Sequence, residues 1–414
     1  MRQINNILSL KSSERKHLIF GFSLVFLVFL SYAILRPLRD ALALTGHHNE
    51  LKWLFLATFI TICLFSFLAI TLSSYIKKRH YTTGLFAFFI SNLIGFYIAI
   101  NFIDRESDMF LWLCRVFFVW VSVFNVFIIS IAWSVLADVF GVDSSRRLFG
   151  ILAAGASLGS ICGSFLVGLL VTFLGIGNFL VLSTLCLLLA FGCKYQLIKN
   201  NENFSLPIGS KNPLEAIFLI AKSRYLMLLV CFIILLTSIS TFLYMEQARV
   251  IKAQFFSIET RTQIFARIEL IVQLSSLFIQ LFLTAKIAKL FGIKALLSVL
   301  GCVVGIGFLL LVCTHPSFMP FVIVMCIRRI GEYAFIKPGR EMLFVPLSVS
   351  EKYKVKNFLD SVVYRGGDAL SAQIEGFLSS ISIHIALLCG GWLSIVWSYV
   401  GYRLGKLYQS KNVS

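Results

Sequence analysis

The segment Asn357-Phe-Leu-Asp-Ser-Val-Val-Tyr-Arg-Gly-Gly-Asp-Ala-Leu-Ser-Ala-Gln-Ile-Glu375 sets Asn357, Ser361, Tyr364, Asp368, Ser371 and Glu375 at helical spacing, with Arg365 beside Asp368. Residues three or four apart share one face of a helix. Ionisable groups are costly in hydrocarbon, so such a face turns toward a protein interior or a water-filled cavity. The segment therefore predicts a membrane helix that forms one wall of a polar path.

The surrounding sequence supports that reading. Hydrophobic residues make up 58% of the chain, charged residues only 14%, and Phe occurs 41 times. Runs of about 20 apolar residues cross a hydrocarbon core of roughly 30 Å. Such runs lie near 17–36, 52–75, 82–103, 109–139, 148–173, 176–193, 226–248, 262–285, 293–313, 319–346, 358–380 and 383–405. They predict an all-α integral membrane protein of twelve transmembrane helices. The first run is long and lacks a small-residue cleavage site, so it is expected to stay as a helix.

The net charge of +18 raises the question of nucleic acid, and the positions of the basic residues answer against it. Arg2, Lys11, Arg15, Lys16, Lys77, Lys78, Arg79, Arg146, Arg147, Lys194, Lys199, Lys286, Lys289, Lys352, Lys354, Lys356 and Lys406 collect on one side of the predicted spans. The positive-inside rule makes that side cytoplasmic, with both termini on it, in a membrane expected to be a bacterial inner membrane. Membrane lipid is the expected partner of these cations. Ten cysteines without a CxxC pair, and six scattered histidines, predict neither a disulfide framework nor a metal site. No Walker A sequence or catalytic constellation is present, so neither an enzyme nor a bound cofactor is expected.

Between the sixth and seventh runs the composition shifts to Asn, Lys, Ser and Pro, including Asn200, Asn201, Pro207 and Pro213. This predicts a cytoplasmic linker over 194–225 between six-helix bundles at 1–193 and 226–414, related by pseudo-symmetry.

Polar residues within the runs mark the candidate sites. Helix 8 carries Glu269, Gln273, Ser276 and Gln280 on one face, expected opposite helix 11. In helix 10, Arg328 and Glu332 are four apart, and Lys337 and Glu341 repeat that spacing, which predicts internal ion pairs. Pro338 removes a helical hydrogen bond and predicts a bend. Arg36 and Asp40 end helix 1, while Glu246 and Arg249 end helix 7; they are read as gates or as snorkelling ion pairs. Gly155, Gly159 and Gly163 on helix 5 form a smooth stripe, which predicts close helix packing.

The loop Ala285-Lys-Ile-Ala-Lys-Leu-Phe-Gly-Ile-Lys294 resembles the basic loop between helices 8 and 9 of the major facilitator superfamily, and Arg115 is similar to that superfamily's helix 4 arginine. A narrower resemblance, to the ATP:ADP antiporter or nucleotide translocase family, rests on four segments. They are Ser31-Tyr-Ala-Ile-Leu-Arg-Pro-Leu-Arg-Asp40, Arg147-Leu-Phe-Gly150, Thr241-Phe-Leu-Tyr-Met-Glu-Gln-Ala-Arg249 and the stretch from Glu351 to Asp368. This implies a major facilitator type fold and nucleotide exchange. The chain departs from the family's pattern in helix 5, where residues 148–173 lack a charged residue.

Residues and resemblance together predict secondary active transport of a small organic anion, with ATP or ADP as one candidate, by alternating access. A non-nucleotide major facilitator transporter is the alternative, ahead of a membrane scaffold or a lipid-modifying enzyme. The expected substrate-binding residues are Arg36, Arg115, Asn125, Arg328, Lys337, Tyr364 and Arg365. The expected coupling or gating residues are Asp40, Glu246, Arg249, Glu269, Gln273, Glu332, Asp368 and Glu375. The sequence fixes no oligomeric state.

Overall fold

The computed structural model describes residues 12–46, 50–140, 142–199, 204, 214–345, 355, 356 and 358–413. The chain ends, most of the central linker, His47, His48, Lys352, Lys354 and Asn357 lie outside the described residues.

The first four membrane helices are α1 (Ser12–Leu42), α2 (Glu50–Tyr75), α3 (Lys78–Phe102) and α4 (Asp108–Val139). The next helical stretch, Val142–Ile198, is broken at Gly175, whose φ of 75° ends α5 and lets α6 begin. Only glycine adopts that conformation readily. After a short helix at Leu214–Lys222 come α7 (Arg224–Gln254) and α8 (Ile258–Phe282). The stretch Thr284–Thr314 breaks at Gly292, with φ 71°, and its longer part is α9. α10 covers 318–342, α11 covers 359–381 and α12 is Ile383–Val413.

Nine of the described helices are long and apolar enough to cross a membrane. One of the nine contains both α5 and α6. The two further spans are α10 and α11. Both carry several charged residues: Arg328, Arg329, Glu332, Lys337, Arg340 and Glu341 lie in α10, and Asp360, Arg365, Asp368 and Glu375 in α11. At about 1.5 Å per residue both still exceed a core of roughly 30 Å. The chain is thus an all-α membrane protein of twelve spanning helices.

Among the described residues the chain divides into two units. One draws on Met1–Thr45, Leu64–Ser210 and Ser257–Leu270; the other draws on Gly46–Cys63, Lys211–Phe256 and Ile271–Ser414. α2 and α8 are therefore each shared between units.

Packing repeats from one unit to the other. In the first, α1 lies against α5 and α3 against α6; in the second, α7 lies against α11 and α9 against α12. The glycine stripe of α5 makes the first contact close. A Cβ at Gly159 would collide with the Phe26 carbonyl oxygen, and one at Gly163 would stand 2.7 Å from the Ala33 Cβ. α3 and α4 are joined by aromatic rings, with Phe89 to Phe124 at 5.2 Å and Phe96 to Trp120 at 5.1 Å between centroids. In the second unit the core centres on Phe232, Phe308, Phe321 and Trp397.

Lys194, expected among the loop cations, is instead fully buried. Its Nζ donates to Thr83 Oγ1 at 2.6 Å and lies over the rings of Phe191 at 5.0 Å and Phe86 at 5.7 Å. Those contacts substitute for water around the ammonium.

Where a bend is expected at Pro338, the structure has a π-helical turn over Glu332–Ile336, just before the proline. Pro338 has no N–H for the Ala334 carbonyl. α8 and the residue that follows it by two provide the missing donors: Gln280 Nε2 donates to Tyr333 O at 2.8 Å, and Thr284 Oγ1 donates to Ala334 O at 2.9 Å. Gln280 was expected to line a polar path. Its amide instead bonds the Tyr333 carbonyl of the π-helical turn, while Thr284 covers the Ala334 carbonyl that the proline leaves open, as membrane-buried backbone requires.

Candidate functional site

In the second unit, polar residues of α7, α10 and α11 gather into one cluster. α10 presents Arg328 and Glu332 one turn apart, and the expected pair forms, Nη1 to Oε2 at 3.0 Å, with both side chains buried. The Arg328 Nε is buried without a hydrogen-bond partner. Glu332 stands in the electrostatic field of Arg328, Lys337, Arg329 and Arg340. Tyr364 lies in the field of Glu332, Asp368, Arg365 and Arg328, and the Arg365 guanidinium stands 5.8 Å from its ring centroid.

α11 completes the cluster. Asp368 accepts from Thr241 of α7 at 3.1 Å and from Arg365 at 3.5 Å. One turn further, Ser371 donates to Ser238 of α7 at 2.8 Å. Arg340 pairs with Asp360 at 3.1 Å, and its Nε is also buried without a partner. α11 opens with a second π-helical turn, Leu359–Val363, so that both π-helical turns carry residues of this cluster, Glu332 and Asp360. Single π-turns in membrane and soluble helices are frequent at functional sites.

The spacing of Lys337 and Glu341 suggested an ion pair, and the structure pairs them elsewhere. Glu341 bonds Lys356 at 2.5 Å, while Lys337 is exposed and stands 4.0 Å from the centroid of the Tyr333 ring. A helical spacing of four brings two side chains near each other but does not outcompete a partner arriving from another segment.

About two turns along α11 from Asp368, a second group forms. Arg249 bridges Glu246, at 2.5 Å, and Glu375. His315 Nδ1 lies 2.6 Å from the other Glu246 oxygen. Both carboxylates are almost wholly buried, and Glu375 Oε2 has no hydrogen-bond partner. His315 is the member sequence reasoning missed; it lies 69 residues from Glu246 with no local pattern linking them.

The first unit holds the remaining candidates. Arg36 of α1 donates through Nη1 to Glu269 of α8, 3.1 Å from each carboxylate oxygen. Asp40, read with Arg36 as a gate or a snorkelling ion pair, receives Arg39 at 2.6 and 2.8 Å. Arg39 also donates to Ser122 at 3.2 Å and stacks 5.0 Å over the Phe118 ring. Glu269, expected opposite helix 11, thus meets α1. The same half of α8 bonds the first unit through Arg261 to Leu44 O, Arg267 to Gly168 O and Glu259 to Arg105. Arg115 is half-buried over the Trp112 ring at 4.6 Å, Asn125 is half-buried on α4, and Gln273 is half-buried in the second unit.

Among the described residues, no group of three or more His, Cys, Asp or Glu is placed to hold a metal ion. The site's chemistry is that of charge recognition: guanidinium groups that offer forked donors, and carboxylates that hold them in place.

Twelve spanning helices with ionisable residues gathered inside each unit are the architecture of a membrane transporter. The chain belongs to the Major Facilitator Superfamily, whose description matches residues 21–338. Solved structures share this fold at low identity. A POT family transporter in complex with a thioalcohol-conjugated peptide is 12% identical, covers 95% of this chain and 96% of its own, and has a TM-score of 0.68. A nucleoside transporter is 14% identical over 95% and 99%, with a TM-score of 0.61. A bacterial homologue of the iron transporter ferroportin, in its inward-facing state, is 14% identical over 94% and 100%, with a TM-score of 0.65. No curated protein matches the chain in sequence.

Proposed function

We propose that this chain is a secondary active transporter of a small organic anion, and that the cluster of α7, α10 and α11 binds it. The observation that carries the proposal is a pair of open donors: the Nε groups of Arg328 and Arg340 are buried without hydrogen-bond partners. Arg328, Arg340 and Arg365 stand in ion pairs with Glu332, Asp360 and Asp368, and buried donors left open are costly unless a ligand accepts from them.

Planar guanidinium groups match phosphate and carboxylate oxygens. Among such anions a nucleotide is the first to test, because the segments around Asp40, Glu246 and Asp368 resemble nucleotide translocases. Tyr364 offers an aromatic face beside the cations. Alternating access by two six-helix halves, divided at the linker over 194–225, gives the cycle, with both termini on the cytoplasmic side of a bacterial inner membrane. In that cycle Arg36 and Glu269, Arg39 and Asp40, and the group of Glu246, Arg249 and Glu375 act as gates that part and re-form.

Ligand binding is the direct test. Thermal unfolding of the purified protein is expected to shift upward with millimolar nucleotides, phosphate esters or dicarboxylates, by mass action on the folded state. Neutral nucleosides and organic cations are expected to leave it unchanged. A shift produced by a cation or a neutral solute, and by none of the anions, contradicts the assignment.

A further inference from the structure

A groove far from the charged cluster has its own chemistry. It lies in the second unit between the start of α7 and the later part of α12, encloses about 370 Å³, and is lined by Arg224, Met227, Leu228 and Cys231 on one side and Tyr399 and Arg403 on the other. That volume is at the small end of ligand clefts, which run about 300–1,000 Å³.

Its two ends differ. Arg224 opens α7, and Cys231 lies seven residues on, about 10 Å deeper along the helix. α12 shows the matching gradient: Arg403 stands toward the end of the helix, and Tyr399 is one turn deeper. Cationic groups therefore meet at the rim of the span and apolar or thiol side chains line the depth. Arg403 Nη1 donates to the Tyr399 hydroxyl at 3.1 Å, which aims the guanidinium along the groove. Neither Arg224 nor Arg403 has a carboxylate partner among the described residues, and the nearby Lys222 and Lys406 are exposed as well. Met227 and Tyr399 are roughly half-exposed, so the groove opens on the outer surface of spanning helices, where lipid is the solvent.

We propose that this groove binds one anionic phospholipid, its phosphate held by Arg224 and Arg403 and an acyl chain laid along Met227, Leu228 and Cys231. Charge complementarity selects the occupant. Basic pockets between membrane helices near a leaflet surface attract anionic headgroups, each cation adding about 1 kcal/mol. The apolar floor separates a lipid from a soluble anion, which has no group to place there.

Native mass spectrometry of the purified full chain in non-ionic detergent tests this. With added phosphatidylglycerol, one lipid is expected to stay bound at concentrations where phosphatidylethanolamine does not. The Arg224→Gln/Arg403→Gln variant is expected to lower that retention about 30-fold, and Lys406→Gln to leave it unchanged; gel filtration checks that each variant stays folded. Equal retention of the two lipids, or full retention by a folded double variant, overturns the proposal. Displacement of phosphatidylglycerol by an equal concentration of inorganic phosphate also overturns it, because it assigns the arginines to a soluble anion.

Discussion

Arg328→Gln is expected to weaken anion binding by about 30-fold or more, since truncating one partner of a buried, hydrogen-bonded charge pair costs roughly 2–5 kcal/mol and each 1.4 kcal/mol is a factor of ten. Arg328 is buried, pairs with Glu332 and keeps one partnerless Nε. Its loss removes a donor and a charge from the proposed site, and it also leaves Glu332 short of its nearest partner. The second effect is on stability and needs separating from the first. In Arg328→Gln/Glu332→Gln both charges are gone, so the orphaned carboxylate disappears and thermal stability should recover relative to the single variant, while binding stays weak. Lys286→Gln, at an exposed position, serves as the control. Binding by a folded double variant equal to that of the parent removes Arg328 from the site.

The second large effect is on folding. Gly159→Ala introduces a Cβ that collides with the backbone oxygen of Phe26, an atom that cannot rotate away. Overpacking of this kind costs about 1–3 kcal/mol, and more when backbone must move. Alanine in place of glycine also favours an isolated helix by about 1 kcal/mol, so packing and propensity oppose each other at this position. Gly150 on the same helix has open space around its Cα. Gly150→Ala should therefore hold or raise the unfolding temperature, while Gly159→Ala lowers it. Equal shifts in the two variants contradict a close contact between α1 and α5.

Much of this architecture was legible in the sequence because the bilayer imposes length and polarity on each span. The apolar runs gave the twelve helices, with the break near residue 175 falling between the fifth and sixth. Local spacing gave the contacts that one helix makes with itself: Arg328 with Glu332, Arg249 with Glu246, and Arg365 with Asp368. Contacts between distant segments were not legible. Arg36 and Glu269 are 233 residues apart, and His315 reaches Glu246 from a turn that carries no polar motif.

The π-helical turns were hidden for a different reason. A hydrophobic period identifies a helix but does not distinguish bonding to the fourth residue from bonding to the fifth. Pro338 supplied a partial signal, because a proline within a span leaves a carbonyl that something must satisfy. Gln280 and Thr284 were then available donors near the end of the eighth run. Their role emerged only once the structure brought that end beside Tyr333 and Ala334.

Transport by the purified chain tests the central claim most directly. Liposomes loaded with unlabelled nucleotide, phosphate ester or dicarboxylate are expected to take up the corresponding labelled anion faster than empty liposomes, and Arg328→Gln/Glu332→Gln is expected to abolish the difference. Uptake of a cation or a neutral solute by correctly reconstituted protein, with no anion carried under either an exchange gradient or an imposed pH gradient, contradicts the account.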